Sequence, residues 1–241
     1  MKRSAPRASG PGNNTGELPE RTRVILQRLK KLYPERRCEL QWSTPLQLAV
    51  AAILSAQCTD KRVNLVTPAL FAKYRKTEDW ARAPQEELEA DIRSTGFFRN
   101  KARNIRALAQ TLLDRHGGGL PGDFDALTEL PGIGRKTANL LVAEIWKRPG
   151  LIVDTHCTRL SQRLGFTRHE DAVKIEFDLR AIVPERDWTD WSHCMVFHGR
   201  YCCAARNPEC ARCPLTDLCP YYATLAGGNK KPAARRRRPE K

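Results

Sequence analysis

The sequence predicts an all-α protein, and three observations carry that prediction. Apolar residues recur at helical spacing through most of the chain. Hydroxyl or carboxylate residues stand just before several of those runs, where their oxygens can cap the first turn of a helix. Only Gly150–Val153 reads as extended, and it is too short to found a sheet.

The elements follow in order. Residues 1–20 are rich in Gly, Pro, Ser, Asn and Arg without a period, and a disordered basic arm is expected there. Thr22–Leu32 is a short amphipathic helix. Ser43-Thr44-Pro45 starts the next: a hydroxyl cap, then Pro at the first position. The run that follows to Ala56 is apolar on nearly every side, as in a buried central helix. Asn100 opens a helix with Ala102, Ile105, Leu108, Ala109, Leu112 and Leu113 on one face, and Gly117-Gly118-Gly119 stops it. Asp123 caps a short helix to Leu130, and a further helix runs from Arg135 to about Trp146. Asp154, His169, and Asp187 or Trp188 begin three more. Residues 227–241 form a second basic tail, expected to be disordered.

No internal repeat is present. Two lobes are expected, one over residues 38–148 with a helix-turn-helix pair at about 124–147. Neither 21–37 nor 149–226 has enough apolar surface alone, so together they should form the other.

The chain has 241 residues, a net charge of +15 and a pI of about 9.7. The two arms hold part of that excess, yet the body between them stays basic, which favours a polyanionic partner such as nucleic acid. No apolar run could span a bilayer, and no signal-peptide core follows the first basic residues. A cytoplasmic monomer with no membrane partner is expected, in a bacterial nucleoid. An organelle transit peptide ranks below that, because the leader contains Pro, Gly and Asn and lacks an amphipathic stripe. Nine cysteines, five of them between Cys202 and Cys219, look like a metal site in a reducing compartment.

The most informative stretch is Leu130-Pro131-Gly132-Ile133-Gly134-Arg135-Lys136-Thr137-Ala138. A helix ends, Gly-Ile-Gly turns, and a new helix starts with its amides unpaired and its positive dipole end outward. Glycines let those amides approach a phosphate oxygen, making a clamp indifferent to base sequence. The plainer alternative is an ordinary corner between two helices. Lys136 sits in the first turn, where the dipole disfavours a cation. That field, with desolvation, would free its amine to attack; the plainer role is a phosphate contact. Eighteen residues on, Asp154 follows the apolar Leu151-Ile152-Val153 and either caps the next helix or supplies a carboxylate to a developing cation.

These motifs, the hairpin with Lys136 and then Val153-Asp154-Thr155-His156, resemble the endonuclease III family of helix-hairpin-helix DNA glycosylases. The similarity extends through Ile53-Leu54-Ser55-Ala56-Gln57, Thr59-Asp60, Gly96 to Ile105, and His198-Gly199-Arg200-Tyr201, covering about Thr22 to Cys219. The resemblance implies a six-helix barrel lobe and a four-helix cluster lobe with damaged double-stranded DNA in the groove between them. It implies Lys136 as Schiff-base nucleophile and Asp154 as the essential carboxylate. Gln57 would fill the space left by a flipped nucleotide, and the loop Gly96-Phe97-Phe98-Arg99-Asn100 would intercalate beside it. Phe97 stands where the family carries an aliphatic residue; a phenyl wedge could still unstack bases, and a core side chain is the alternative. Gly132, Ile133, Gly134, Thr137, Asn100 and His156 join the expected DNA contacts, with Arg135 and Lys101 holding phosphates.

Cys203-x6-Cys210-x2-Cys213-x5-Cys219 could bind tetrahedral zinc or a 4Fe–4S cluster on spacing alone. The resemblance implies the cluster. Cys38, Cys58, Cys157, Cys194 and Cys202 are expected to be small buried apolar residues, while Arg200, Arg206 and Arg212 would form a basic loop reaching phosphates. The implied activity is excision of oxidised pyrimidines with strand cleavage. A pyrimidine-dimer or mismatch glycosylase of the same fold, and a non-catalytic iron–sulfur DNA-binding protein, are the alternatives.

Overall fold

The structure, a computed structural model, describes residues 17–228. Among these there is no strand, and twelve α-helices account for most of the chain. They are α1 (Glu17–Leu32), α2 (Pro45–Leu54), α3 (Asp60–Lys73), α4 (Thr77–Arg82), α5 (Gln85–Asp91) and α6 (Phe98–His116). After them come α7 (Phe124–Thr128), α8 (Arg135–Ile145), α9 (Thr155–Arg163), α10 (Ala172–Arg180), α11 (Trp188–Tyr201) and α12 (Pro220–Gly228).

The buried hydrophobic residues fall into two clusters. The first gathers around α2, where Leu48 to Leu54 are all buried. Its start is fixed by Thr44, whose hydroxyl accepts from the Gln47 amide at 3.3 Å, with Pro45 at the first position. Trp80, Leu88, Ile92, Ile105, Leu112 and Leu141 close around it. The second cluster joins Ile25 and Leu29 of α1 to Leu160, Ile175, Leu179, Trp191 and Met195 of α9–α11. Lys30 and Arg36 pair with Asp190 at 2.6 Å each, fastening α1 and the residues after it to α11. Burial of the amphipathic face of α1 against chain more than a hundred residues away is what completes this second core.

Three boundaries differ from the sequence reading. Helix α1 begins at Glu17, inside the stretch expected to be disordered; Leu18 packs on the second core, and Thr22 donates to the carbonyls of Pro19 and Ile182. Residues 1–16 and 229–241, which hold the rest of both arms, lie outside the described residues. His169 does not start a helix. Asp171 caps α10 by accepting from the Lys174 amide, while the His169 ring meets the Asp178 carboxylate at 2.9 Å. Helix α6 starts at Phe98 rather than Asn100, because Phe97 turns into the left-handed region just before it. No helix among the described residues is long and apolar enough to cross a membrane.

Candidate active site

The hairpin between α7 and α8 is built by two unlike glycines. Gly132 has φ +79°, and a Cβ there would also sit 3.0 Å from Asn104 and 3.1 Å from Ile53, so both turn and packing require glycine. Gly134 has an ordinary extended φ of −92°; its contribution is the open space over it. No side chain caps α8, so the amides opening the helix face outward, as an anion site requires. Ile133 is buried and pins the turn to the first core.

Lys136 is the second residue of α8 and stands exposed. Removing water from around its amine therefore falls to whatever binds there. Asp154 lies across from it at the start of α9. The preceding Leu151, Ile152 and Val153 are buried, and the Ile152 amide donates to Ser192 Oγ at 2.8 Å, which fixes where the chain emerges. One Asp154 oxygen accepts from the Cys157 amide at 2.8 Å. The helix cap and the facing carboxylate are thus one side chain in two uses. Lys136 and Asp154 line one pocket with Asp60, Glu39, Ser55, His193 and Arg200. Burial pushes the Asp60 carboxyl up and the nearby Asp154 adds to this, while Lys136 and His156 oppose it. Asp60 and Glu39 are both held by Arg200, Asp60 at 2.7 Å.

A second cavity, in front of the hairpin, is lined by Gln57, Phe97, Asn100, Lys101, Gly132 and Thr137 among others. Gln57 and Phe97 are exposed on its rim, and both have left-handed backbones, φ +52° and +49°. Phe97, at 71% exposure, is no core side chain. Asn100 is exposed beside it and Thr137 is half-buried. Lys101 corrects the expectation that it holds a phosphate. It is 3% exposed, and its ammonium donates to the carbonyls of Leu54 and Thr95, both at 2.8 Å.

Arg135, the other residue expected to hold a phosphate, keeps about a third of its side chain exposed but has a protein partner. Its guanidinium lies 2.8 Å from the buried Glu176 carboxylate of α10 and stacks between Phe124 and Phe177, with Arg180 on the same carboxylate. The arginine of the hairpin therefore ties α8 to the second core. Arg200 and Arg212 are likewise committed, to Glu39 and Asp60, and to Glu209 and the Tyr201 carbonyl. His156 packs against Gly199, its ring 3.2 Å from Arg159.

Cys203, Cys210, Cys213 and Cys219 line one cavity, together with Cys202, Leu160, Leu164 and Leu215. Cys202 is buried, whereas Cys38 and Cys58 are only half-buried. His198, Cys202 and Cys213 bring ligand atoms within 4.8 Å of one another. Burial pushes the Cys213 thiol up to about 12 and raises Cys219 as well. A soft donor set with apolar walls fits a thiophilic metal centre, whose charge would offset that burial cost. The site is braced from α9: Arg163 donates to Cys203 Sγ at 3.1 Å and to the Ala204 and Ala205 carbonyls, and Arg159 donates to the Cys203 and Gly199 carbonyls. The same helix carries Asp154 at its other end.

The family model for HhH-GPD superfamily base excision DNA repair proteins matches residues 50–185, the hairpin and Asp154 included. The chain belongs to that superfamily. It is 48% identical over 202 residues to an endonuclease III from Synechocystis sp., covering 83% of this chain and 92% of the relative. A solved non-covalent endonuclease III–DNA complex superimposes with a TM-score of 0.83 at 45% identity, over 87% of this chain and 98% of that one. A trapped endonuclease III–DNA covalent intermediate with an estranged adenine matches equally well, at a TM-score of 0.83 and 45% identity, over 86% and 98%.

Within this HhH-GPD fold, several residues of the pocket escaped the sequence reading. Arg200 was read as part of a phosphate-facing loop and Glu39 was not singled out, because their pairing spans 161 residues. His193, which lines the pocket and lies 3.0 Å from Glu144 outside it, gave no motif signal. An acidic residue on each side of α2, Glu39 before it and Asp60 after it, was the available hint.

Proposed function

We propose that this chain is a bifunctional DNA glycosylase and AP lyase that removes oxidised pyrimidines from duplex DNA. The observation that carries the reading is the convergence of Lys136, on an uncapped helix start, with Asp154 in one pocket beside the hairpin. The relative named endonuclease III and the two solved endonuclease III–DNA structures support it.

The hairpin amides hold a phosphate, and the target nucleotide leaves the stack to reach the pocket. Departure of the base builds positive charge on the sugar, which the Asp154 carboxylate stabilises. The Lys136 amine bonds to C1′ as the C1′–N bond to the base breaks, and the base leaves with a proton. Loss of the ring oxygen's bond to C1′ gives an imine. The C2′ proton is then removed, the C3′–O bond breaks, and the strand is cut on the 3′ side. Gln57 and Phe97 occupy the space the nucleotide leaves.

The cysteine site is read as a 4Fe–4S cluster held by Cys203, Cys210, Cys213 and Cys219. Spacing alone admits zinc as well; the similarity to endonuclease III is what favours the cluster. Such a closed site has no open coordination position, and its contribution is to hold the loop that Arg159 and Arg163 grip. Elemental analysis of the purified protein tests it: iron with sulfide is expected, and zinc alone would refute it. The activity is tested with a thymine glycol duplex. Cleavage that leaves a 3′ unsaturated aldehyde is expected; an intact strand bearing only an abasic site would refute the lyase.

A further inference from the structure

We propose that Lys101 is a positioning residue that straps the two wedge loops together, so that Gln57 and Phe97 enter the base stack as one unit. The proposal rests on the reading of those two side chains as the groups that fill the vacated space.

The geometry is specific. Leu54 is the last residue of α2, three before Gln57; Thr95 lies two before Phe97. The Lys101 ammonium donates to both carbonyls at 2.8 Å. Its own amide donates to the Phe97 carbonyl at 3.1 Å, so the second loop is gripped from two sides. Gln57 and Phe97 both hold left-handed backbones, which side chains other than glycine rarely adopt. Both side chains are exposed, so burial of their own atoms does not hold them there. The restraint must come from the backbone leading into each loop, and Lys101 binds that backbone in both.

A cation is ill placed by its own helix, since Lys101 ends the first turn of α6. Burial also pushes its pKa down. The negative end of the α2 dipole at Leu54 offsets part of that cost. Capping α2 would need the Leu54 bond alone. The second bond, to Thr95, crosses from one loop to the other.

Lys101→Met keeps the stem and removes the donors. Single-turnover excision should be measured on a thymine glycol duplex, where a nucleotide must be unstacked, and single-turnover strand cleavage on single-stranded abasic DNA, where none is. Duplex excision is expected to slow about tenfold, with the single-stranded rate within about twofold of the wild type. In a Gln57→Ala/Phe97→Ala background, the same substitution should change the duplex rate by less than about twofold, because the elements it positions are gone. Lys101→Gln keeps an amide nitrogen on a shorter, uncharged stem, weakening the bridge between the two carbonyls, and should give the same selectivity at smaller size; it carries the test if the methionine variant does not fold. Equal slowing on both DNAs, no slowing on duplex, or a tenfold effect that persists in the double-alanine background would overturn the proposal. A wild-type chain inactive on both DNAs would overturn the glycosylase reading instead, and this one with it.

Discussion

Two lysines stand in the first turn of a helix, the position a helix dipole least favours for a cation, and their surroundings give them opposite jobs. Lys136, at the start of α8, is exposed in the pocket that also holds Asp154. Lys101, at the start of α6, is buried with its ammonium on two backbone carbonyls. The first amine is left available for chemistry; the second is consumed by structure. The difference lies in what packs over each helix start. Open space stands over Gly134 and Lys136 is exposed, whereas the C-terminus of α2 and the turn at Thr95 close over Lys101. A lysine's place in a helix thus says little about its role until its neighbours in space are known.

The contrast can be pressed by substitution. Lys136→Ala should lower strand cleavage at least about a thousandfold, yet change stability by less than about 0.5 kcal/mol in denaturant melts, because an exposed cation at a helix start is lost. Asp154→Asn separates the two uses of one side chain. Asparagine still caps α9, so stability should hold, while single-turnover excision falls about a hundredfold. Lys101→Met reverses the Lys136 pattern in stability. It strands two buried carbonyls, and a denaturant melt should show a loss of about 1–3 kcal/mol.

An effect on stability alone is expected at an ion-pair triad with no part in the chemistry, Asp190 with Lys30 and Arg36. Burial raises the Asp190 carboxyl, but Lys30 and Arg36 outweigh that and hold it below its ordinary value. A carboxylate depressed in the folded state stabilises above its unfolded pKa and loses that contribution as pH falls through its folded value. Asp190→Asn should therefore cost about 1 kcal/mol at neutral pH. Its melting curve should converge on that of the wild type below the ordinary carboxylate range.

Much of this was legible in the sequence where the signal was local. Thr44-Pro45 and Asp154 announced helix starts because a cap needs only its next few residues. Gly132-Ile133-Gly134 announced the hairpin because the turn's φ and its close packing demand glycine. What was missed depends on partners far along the chain. The ion pair of Arg135 with Glu176 spans forty-one residues and left no local signal. Lys101 faces Leu54 across forty-seven residues, and no spacing rule brings them together. Helices α4 and α5 have six and seven residues, too few turns for a period to emerge. The helix expected to open at His169 opens instead after Asp171, whose carboxylate accepts from the Lys174 amide.

The central claim is that the Lys136 amine bonds to the sugar. Borohydride trapping on duplex DNA containing an abasic site tests it most directly, because reduction fixes the imine as a stable cross-link. The wild-type chain should yield a covalent protein–DNA complex, and Lys136→Ala should yield none while still binding the DNA. A cross-link that persists in Lys136→Ala would assign the nucleophile elsewhere. No cross-link in the wild type, with binding intact, would contradict the imine mechanism and leave Lys136 as a phosphate contact.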